Sequence, residues 1–154
     1  MGNTKKTQEM LMNSIFEVFE KMFFVFLEPL DEDIKYDMIS SINFTGAING
    51  EIKVFFTLSL AETMVQNMLS LNRKEVTEKM IEDCAKEAVN MIGGNFLHKL
   101  DSSNAFDLSL PNFTKKPGVF APQVQNQSEA IWNLSFESDK NFMAVSVSTS
   151  TGGM

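Results

Sequence analysis

The stretch DCAKEAVNMIGGNFLHKL, residues 83–100, has the apolar spacing of a helix but contains two adjacent glycines. One side of the helical wheel carries the apolar set, which is Ile81, Cys84, Ala85, Ala88, Val89, Ile92 and Phe96. The opposite side carries Asp83, Glu87, Asn90 and Gly94 within about 60° of one another, because successive residues are about 100° apart. We interpret the stretch as a helix that packs on a sheet and exposes this polar stripe.

The glycines of this helix need a reason, because glycine costs about 1 kcal/mol in a helix interior relative to alanine. Gly94 falls beside Asn90 and leaves backbone bare, so another molecule could approach closely there. The residues alone leave two alternatives open. The polar stripe could be only a solvated face, and the glycine could serve helix–sheet packing or mark a bend.

Two further helices are predicted by apolar spacing. Residues 7–27 form the first, with Leu11, Ile15, Val18, Phe19, Met22 and Phe26 on its buried side, and Pro29 and the acidic DED run follow it. The stretch 83–100 belongs to a second long helix, which covers 75–100. A shorter one covers SLAETMVQNMLSL, with Ser59 as its N-cap and Glu62 as its capping-box partner.

The strands are predicted by period-two alternation. Residues 37–59 form two strands around the turn GAING, and FDLSL, AIWNLSFES and the closing NFMAVSVSTS add more, with a loop-rich segment at 111–128. Clean alternation fits a sheet with one face covered by helices. We therefore predict one α+β domain, residues 1–154, with about six mixed or antiparallel strands, and the element order suggests pseudo-duplicated halves.

Composition excludes several function classes. The net charge of −7 argues against a nucleic-acid surface, which needs a basic patch. Cys84 and His98 are the only residues of their types, so no disulfide framework and no metal site are expected. The longest apolar run, MFFVFL, is too short to span a bilayer, and no signal-peptide pattern precedes it. We predict a cytoplasmic protein without membrane insertion.

The polar stripe also matches a known pattern. Written D-x3-E-x2-N-x3-G-N, the set Asp83, Glu87, Asn90, Gly94 and Asn95 resembles the signature helix of the CheC/CheX/FliY family of chemotaxis phosphatases. FDLSLPNF at 106–113 is similar to the segment that follows this helix in the family, and GAINGEIKVFF resembles its first hairpin. The resemblance covers roughly residues 7–150.

The resemblance implies hydrolysis of the aspartyl phosphate on a phosphorylated CheY-type response regulator. Glu87 and Asn90 would be the catalytic pair: Glu87 would contact the regulator's lysine, and Asn90 would orient the attacking water. Asp83 and Gly94 would contact the partner, whereas we assign Asn95 to structural support. The protein would need no cofactor of its own, since the regulator supplies Mg²⁺. The alternative is a non-catalytic adaptor that docks on a regulator, a deamidase or a flagellar-switch component.

A second site, which CheC-like members carry on the first helix, is predicted to be absent. When residues 7–27 are laid over 75–100, Glu17 matches Glu87, but Glu20 stands in place of Asn90 and Phe24 in place of glycine. The one-site pattern is CheX-like, and such members are homodimers. The alternating C-terminal segment, 141–150, is predicted to be an edge strand available for pairing across subunits.

Overall fold

Three helices lie against one antiparallel sheet in the computed structural model, which describes residues 4–103, 105–122 and 130–149. The helices are α1 (Thr4–Phe23), α2 (Leu58–Leu69) and α3 (Glu78–Leu100), and a short 3₁₀ turn, Arg73–Glu75, precedes α3. The predicted α+β class is confirmed.

Within the described ranges the main sheet contains seven strands, against about six predicted from the sequence. The strands are β1 (Glu28–Leu30), β3 (Met38–Thr45), β4 (Gly50–Phe56), β5 (Asp107–Leu108), β6 (Asn112–Thr114), β8 (Ala130–Ser138) and β9 (Asn141–Thr149). Their order is β1-β8-β9-β4-β3-β5, with β6 also pairing with β3, and all pairs are antiparallel. A separate two-stranded sheet joins β2 (Ile34–Tyr36) to β7 (Gly118–Phe120).

The hydrophobic core lies between the helices and one face of the main sheet. Alternate residues of β3 and β4 point into it, as the period-two pattern predicts; the inward residues include Met38, Ile42, Phe44, Ile52 and Val54. The whole predicted apolar side of α3 is buried, and Gly93 and Leu97 are buried with it. This packing fixes which face of α3 remains at the surface.

The predicted end of the first helix is wrong, because α1 ends at Phe23. Phe24 adopts a positive φ of 54°, and the chain then continues without helical structure. Side chains alternate from there: Val25 and Leu27 are buried, whereas Phe24 and Phe26 are 61% and 67% exposed. Phe26 is therefore not a core residue, because an apolar run this short fits a period of two as well as a helical period.

The predicted cap of α2 is also wrong, as is the extension of the preceding strand to residue 59, because β4 ends at Phe56. The helix begins at Leu58, and Thr57 is the N-cap, with its hydroxyl accepting a hydrogen bond from Leu60 N at 3.3 Å. Ser59 instead donates a hydrogen bond to Asn141 Oδ1 at 2.6 Å, a long-range contact that local sequence does not reveal. Glu62 is no capping partner, since it lies 3.6 Å from Arg73 in an ion pair.

The C-terminal strand is not an edge strand, which corrects the prediction for 141–150. β9 pairs with β4 on one side and β8 on the other; Val145, for example, lies between Val54 and Leu134. The ends of the sheet are formed by β1 and by β5 with β6. Residue 150 and residues 123–128 of the predicted loop-rich segment lie outside the described residues, and the duplication of the two halves stays a prediction.

Candidate functional site

The predicted polar stripe of α3 lies at the protein surface. Asp83 and Glu87 are exposed, and Asn90 and Gly94 are half-buried beside them. α3 begins at Glu78, where Thr77 caps it by accepting a hydrogen bond from Met80 N at 3.2 Å. The remaining helix packs its apolar side on the sheet and on α1 and α2, so the stripe is held on a rigid element.

Ion pairs along α3 leave one carboxylate without a cationic partner in the described part of the chain. The pairs are Glu78 with Lys115, Glu82 with Lys86 at 2.8 Å, and Asp83 with Lys79 at 2.9 Å. Glu87 is the remaining acidic residue of the helix, and no ion pair or hydrogen bond among the described residues involves its side chain. It is therefore available to a cation on another molecule.

Asn90 follows Glu87 by three residues, so both side chains project from the same face of the helix. None of the hydrogen bonds among the described residues involves the carboxamide of Asn90. A carboxamide offers both donor hydrogens and an acceptor oxygen, so it can hold a water molecule by two contacts at once. The geometry thus places an uncommitted carboxamide next to an uncommitted carboxylate.

The two glycines face different surroundings, which answers the question raised by the sequence. A Cβ added to Gly93 would lie 3.6 Å from Ile42 Cγ2 and 3.6 Å from Ile52 Cδ1, so this glycine belongs to the helix–sheet contact. A Cβ added to Gly94 would have nothing within 4 Å. Packing therefore accounts for Gly93, whereas Gly94 leaves open space one turn beyond Asn90.

A surface pocket of about 410 Å³ adjoins Gly94. Its other lining residues are Leu97, His98, Ser102, Ser103, Ala105, Phe106 and Leu108. Sequence reasoning missed this pocket, because its walls come partly from the segment after α3. The one local signal was Phe106, an aromatic residue beside a polar turn.

The remaining predicted residues have simpler surroundings. Cys84 is buried, as predicted, and burial raises the pKa of its thiol to about 12, with a smaller contribution from the charge of Glu87. It is neutral near pH 7 and is no nucleophile.

His98 is exposed in the last turn of α3. Asn95 is half-buried, and its side chain makes no hydrogen bond to the described residues, so its supporting role stays a prediction.

The corresponding face of α1 differs from that of α3. Glu17 accepts a hydrogen bond from Lys99 on α3 and lies 3.7 Å from Lys21, so its carboxylate is already engaged. Glu20 is exposed, and Phe24 lies beyond the end of the helix. α1 therefore does not reproduce the arrangement found on α3.

The described residues contain no group of three or more His, Cys, Asp or Glu residues that could hold a metal ion. No helix within the described ranges is long and apolar enough to cross a membrane.

Comparison with known proteins identifies one family. The sequence model of the family described as "Chemotaxis phosphatase CheX" matches residues 38–133, which include α3 and the β3–β4 hairpin. No curated protein sequence matches the chain closely enough to be called a relative.

Solved structures share the fold at low sequence identity. The chemotaxis protein CheX from Vibrio vulnificus superposes with a TM-score of 0.78 at 19% identity, covering 97% of this chain and all of that one. CheX from Desulfovibrio desulfuricans gives 0.76 at 19% identity, with coverage of 94% and 99%. The CheX of a Borrelia burgdorferi CheX–CheY–BeF₃–Mg²⁺ complex gives 0.71 at 18% identity, with coverage of 93% and 97%.

Proposed function

The chain belongs to the CheX family, and we propose that it accelerates hydrolysis of the aspartyl phosphate on a phosphorylated CheY-type response regulator. The observation that carries the proposal is the exposed face of α3, where Glu87 and Asn90 stand side by side with no partner among the described residues. The complex of the Borrelia CheX with CheY, BeF₃ and Mg²⁺ supports a regulator of this class as the partner.

Glu87 docks the regulator. Its carboxylate forms an ion pair with the regulator's active-site lysine, because it is the acidic side chain of α3 that no described lysine neutralises. Asp83, one turn earlier, is paired with Lys79 on the same helix and adds a weaker, already neutralised contact. Gly94 leaves room for the partner's backbone or side chains beside Asn90.

Asn90 positions the nucleophile. Its carboxamide holds a water molecule in line with the scissile bond between phosphorus and the aspartyl oxygen. Attack by that water releases inorganic phosphate and restores the aspartate.

Phosphoryl transfer depends mainly on positioning and charge neutralisation, and the regulator contributes its own lysine and Mg²⁺. A neutral carboxamide avoids the repulsion that a carboxylate would exert on the phosphoryl group. Positioning of this kind is worth about 10²-fold or more in rate.

The decisive experiment measures the decay of a ³²P-labelled CheY-type regulator with and without the protein. Wild-type protein should accelerate decay, and Asn90→Ala should remove the acceleration while still binding the regulator. Asn13→Ala, which changes an exposed asparagine on the other long helix, is the matched control and should behave as wild type. Near-normal turnover by Asn90→Ala would contradict the mechanism. Binding by the wild type without faster decay would instead identify a docking adaptor.

The proposal includes a homodimer, as the family resemblance implies. Pairing through β9 is excluded, because both sides of that strand are occupied within the chain. Sedimentation equilibrium would establish the stoichiometry, and a monomer at micromolar concentration would contradict this part of the proposal.

A further inference from the structure

A second exposed surface lies away from α3, on the segment that joins α1 to β1. Phe24 and Phe26 project from this segment, and each is more than half exposed. They border a groove of about 720 Å³, whose lining also includes Glu28, Asn67, Glu137 and Asp139. No residue of α3 lines this groove, so it is separate from the site described above.

The backbone at Phe24 is held in an unfavourable conformation. A φ of 54° places a bulky side chain in the left-handed region, which such residues rarely adopt. Asn67 of α2 secures it, because its Nδ2 donates to Phe23 O at 2.9 Å and to Phe24 O at 3.4 Å. The backbone from which the Phe24 ring projects is therefore held both by this contact with α2 and by the hydrogen bond from Val25 N to Phe19 O at 2.9 Å.

The rim of the groove is acidic. Glu28 of β1 lies directly opposite Glu137 of β8, and Asp139 follows in the β8–β9 turn. Like charges at directly opposite positions of an antiparallel pair destabilise the sheet. None of the three carboxylates forms an ion pair with another described residue. The groove thus combines two exposed aromatic side chains with three carboxylates that form no ion pair with the described residues.

We propose that this groove binds a cationic amphipathic segment of a partner protein, with apolar side chains seated on Phe24 and Phe26 and lysines or arginines facing the carboxylates. Aromatic side chains are the usual anchors of protein interfaces, and complementary charge fixes the orientation of the partner. The negative charge of the groove disfavours two other occupants, a second copy of this chain and an anionic membrane. A symmetric contact with a second copy would bring the same carboxylates together in a chain of net charge −7. An anionic membrane surface would be repelled in the same way.

The test uses a fluorescein-labelled helical peptide of about 18 residues, with leucine on one face and lysine on the other. Fluorescence anisotropy should show binding that weakens as salt rises. The variant Phe24→Gly/Phe26→Ala should bind at least about tenfold more weakly, and it should fold, since glycine adopts a positive φ without strain. Its matched control is Leu110→Ala/Val119→Ala, which removes two exposed apolar side chains elsewhere and should bind as wild type.

Charge is tested by a second matched pair of variants. Glu28→Gln/Glu137→Gln should weaken peptide binding, whereas Glu51→Gln/Asp107→Asn, which changes the net charge equally outside the groove, should not. Equal weakening by the two pairs would show non-specific attraction to an acidic protein and overturn the proposal. Retained binding by the phenylalanine variant would also overturn it. So would a wild-type dimer that dissociates in that variant, because the occupant would then be a second copy.

Discussion

Lys99 of α3 donates a hydrogen bond to Glu17 of α1, and this contact joins the two long helices. Lys99 Nζ also lies 3.4 Å from Ser14 Oγ, and Lys21 approaches Glu17 from the same helix at 3.7 Å. The hydrogen bond from Lys99 is the largest cause that lowers the pKa of Glu17 below its ordinary value of 4.5. The Glu17 carboxylate therefore has a structural use.

The variant Glu17→Gln should lose a small, pH-dependent part of the protein's stability. Both partners are partly exposed, so the loss at neutral pH should be about 0.5–1 kcal/mol. A lowered pKa contributes stability that is fully present above about pH 4.5 and disappears as pH falls through the folded-state value. Urea unfolding measured from neutral pH downward should therefore show a difference from wild type that is largest at neutral pH and shrinks as the pH falls below about 4.5. A loss of equal size across this range would show that the carboxylate charge is not the cause.

Neither Glu17→Ala nor Glu20→Ala should change phosphatase turnover per protomer. Glu17 is engaged by Lys99, the position three residues later is Glu20 instead of an asparagine, and α1 contains no glycine. The measurement is steady-state decay of the phosphorylated regulator at saturating regulator concentration. A large loss in a variant whose circular dichroism is unchanged would require a second site on α1.

The variant Glu87→Gln should weaken binding of the regulator and make binding less sensitive to salt, because one charge pair is lost. Glu82→Gln on the same helix is the matched control. It removes the same charge from a residue already paired with Lys86. Titrations at several salt concentrations would give the slope of log Kd against log salt for each protein. An unchanged slope for Glu87→Gln would count against its role in docking.

Thiol reagents should not label Cys84 in the folded protein. The side chain is buried, and its pKa of about 12 leaves almost no thiolate near neutral pH. Labelling with a chromogenic disulfide should therefore follow global unfolding, with full reaction in denaturant. Rapid labelling under native conditions, without loss of structure, would contradict this placement.

The spacing of apolar residues correctly predicted the elements that bury one regular face, namely α3, β3 and β4. The apolar stripe of α3 is buried at every predicted residue, and β3 and β4 follow the alternation except at Phe55, which is buried in a second cluster with Ile34 and Phe120. The end of α1 could not be predicted in this way. Its apolar run fits either a helix or an extended chain. The observed end is closed by a hydrogen bond from Val25 N to Phe19 O at 2.9 Å, and Asn67, more than 40 residues later, donates to the carbonyls of Phe23 and Phe24. The central position of β9 likewise depends on pairing with distant strands.

The candidate site shows the same division. The side chains that share the exposed face of α3 follow from helical periodicity, so their placement was predictable. It was not predictable that the side chains of Glu87 and Asn90 would make no hydrogen bond or ion pair with other described residues. It depends on Lys79 and Lys86 pairing with neighbouring carboxylates and on the distance of every described lysine from Glu87. Sequence also could not assign packing to Gly93 and open space to Gly94, because that depends on the depth at which α3 sits on β3 and β4.

Leucine substitutions at Gly93 and Gly94 should have different effects on the stability of the protein. Leucine is the better helix former by about 1 kcal/mol. Gly94→Leu should therefore fold with equal or greater stability, because nothing lies within 4 Å of the added Cβ. Gly93→Leu should lose about 1–3 kcal/mol, because its side chain would be forced against Ile42 and Ile52. Thermal melting followed by circular dichroism would measure both.

Binding of the regulator should be lost when Gly94 is substituted, although the stability of the protein is not. Gly94 therefore tests whether the regulator approaches α3 closely. Gly94→Leu should lose binding and turnover while fully folded, since the new side chain occupies the space beside Asn90. Gly93→Ala is the matched control: its Cβ would make ordinary contacts at 3.6 Å, and the exposed face would be unchanged, so activity should persist. Titration with a regulator activated by beryllium fluoride, a tetrahedral mimic of the phosphoryl group, reports binding separately from hydrolysis. A folded Gly94→Leu protein that binds and turns over normally would show that the open backbone of α3 is not where the regulator sits.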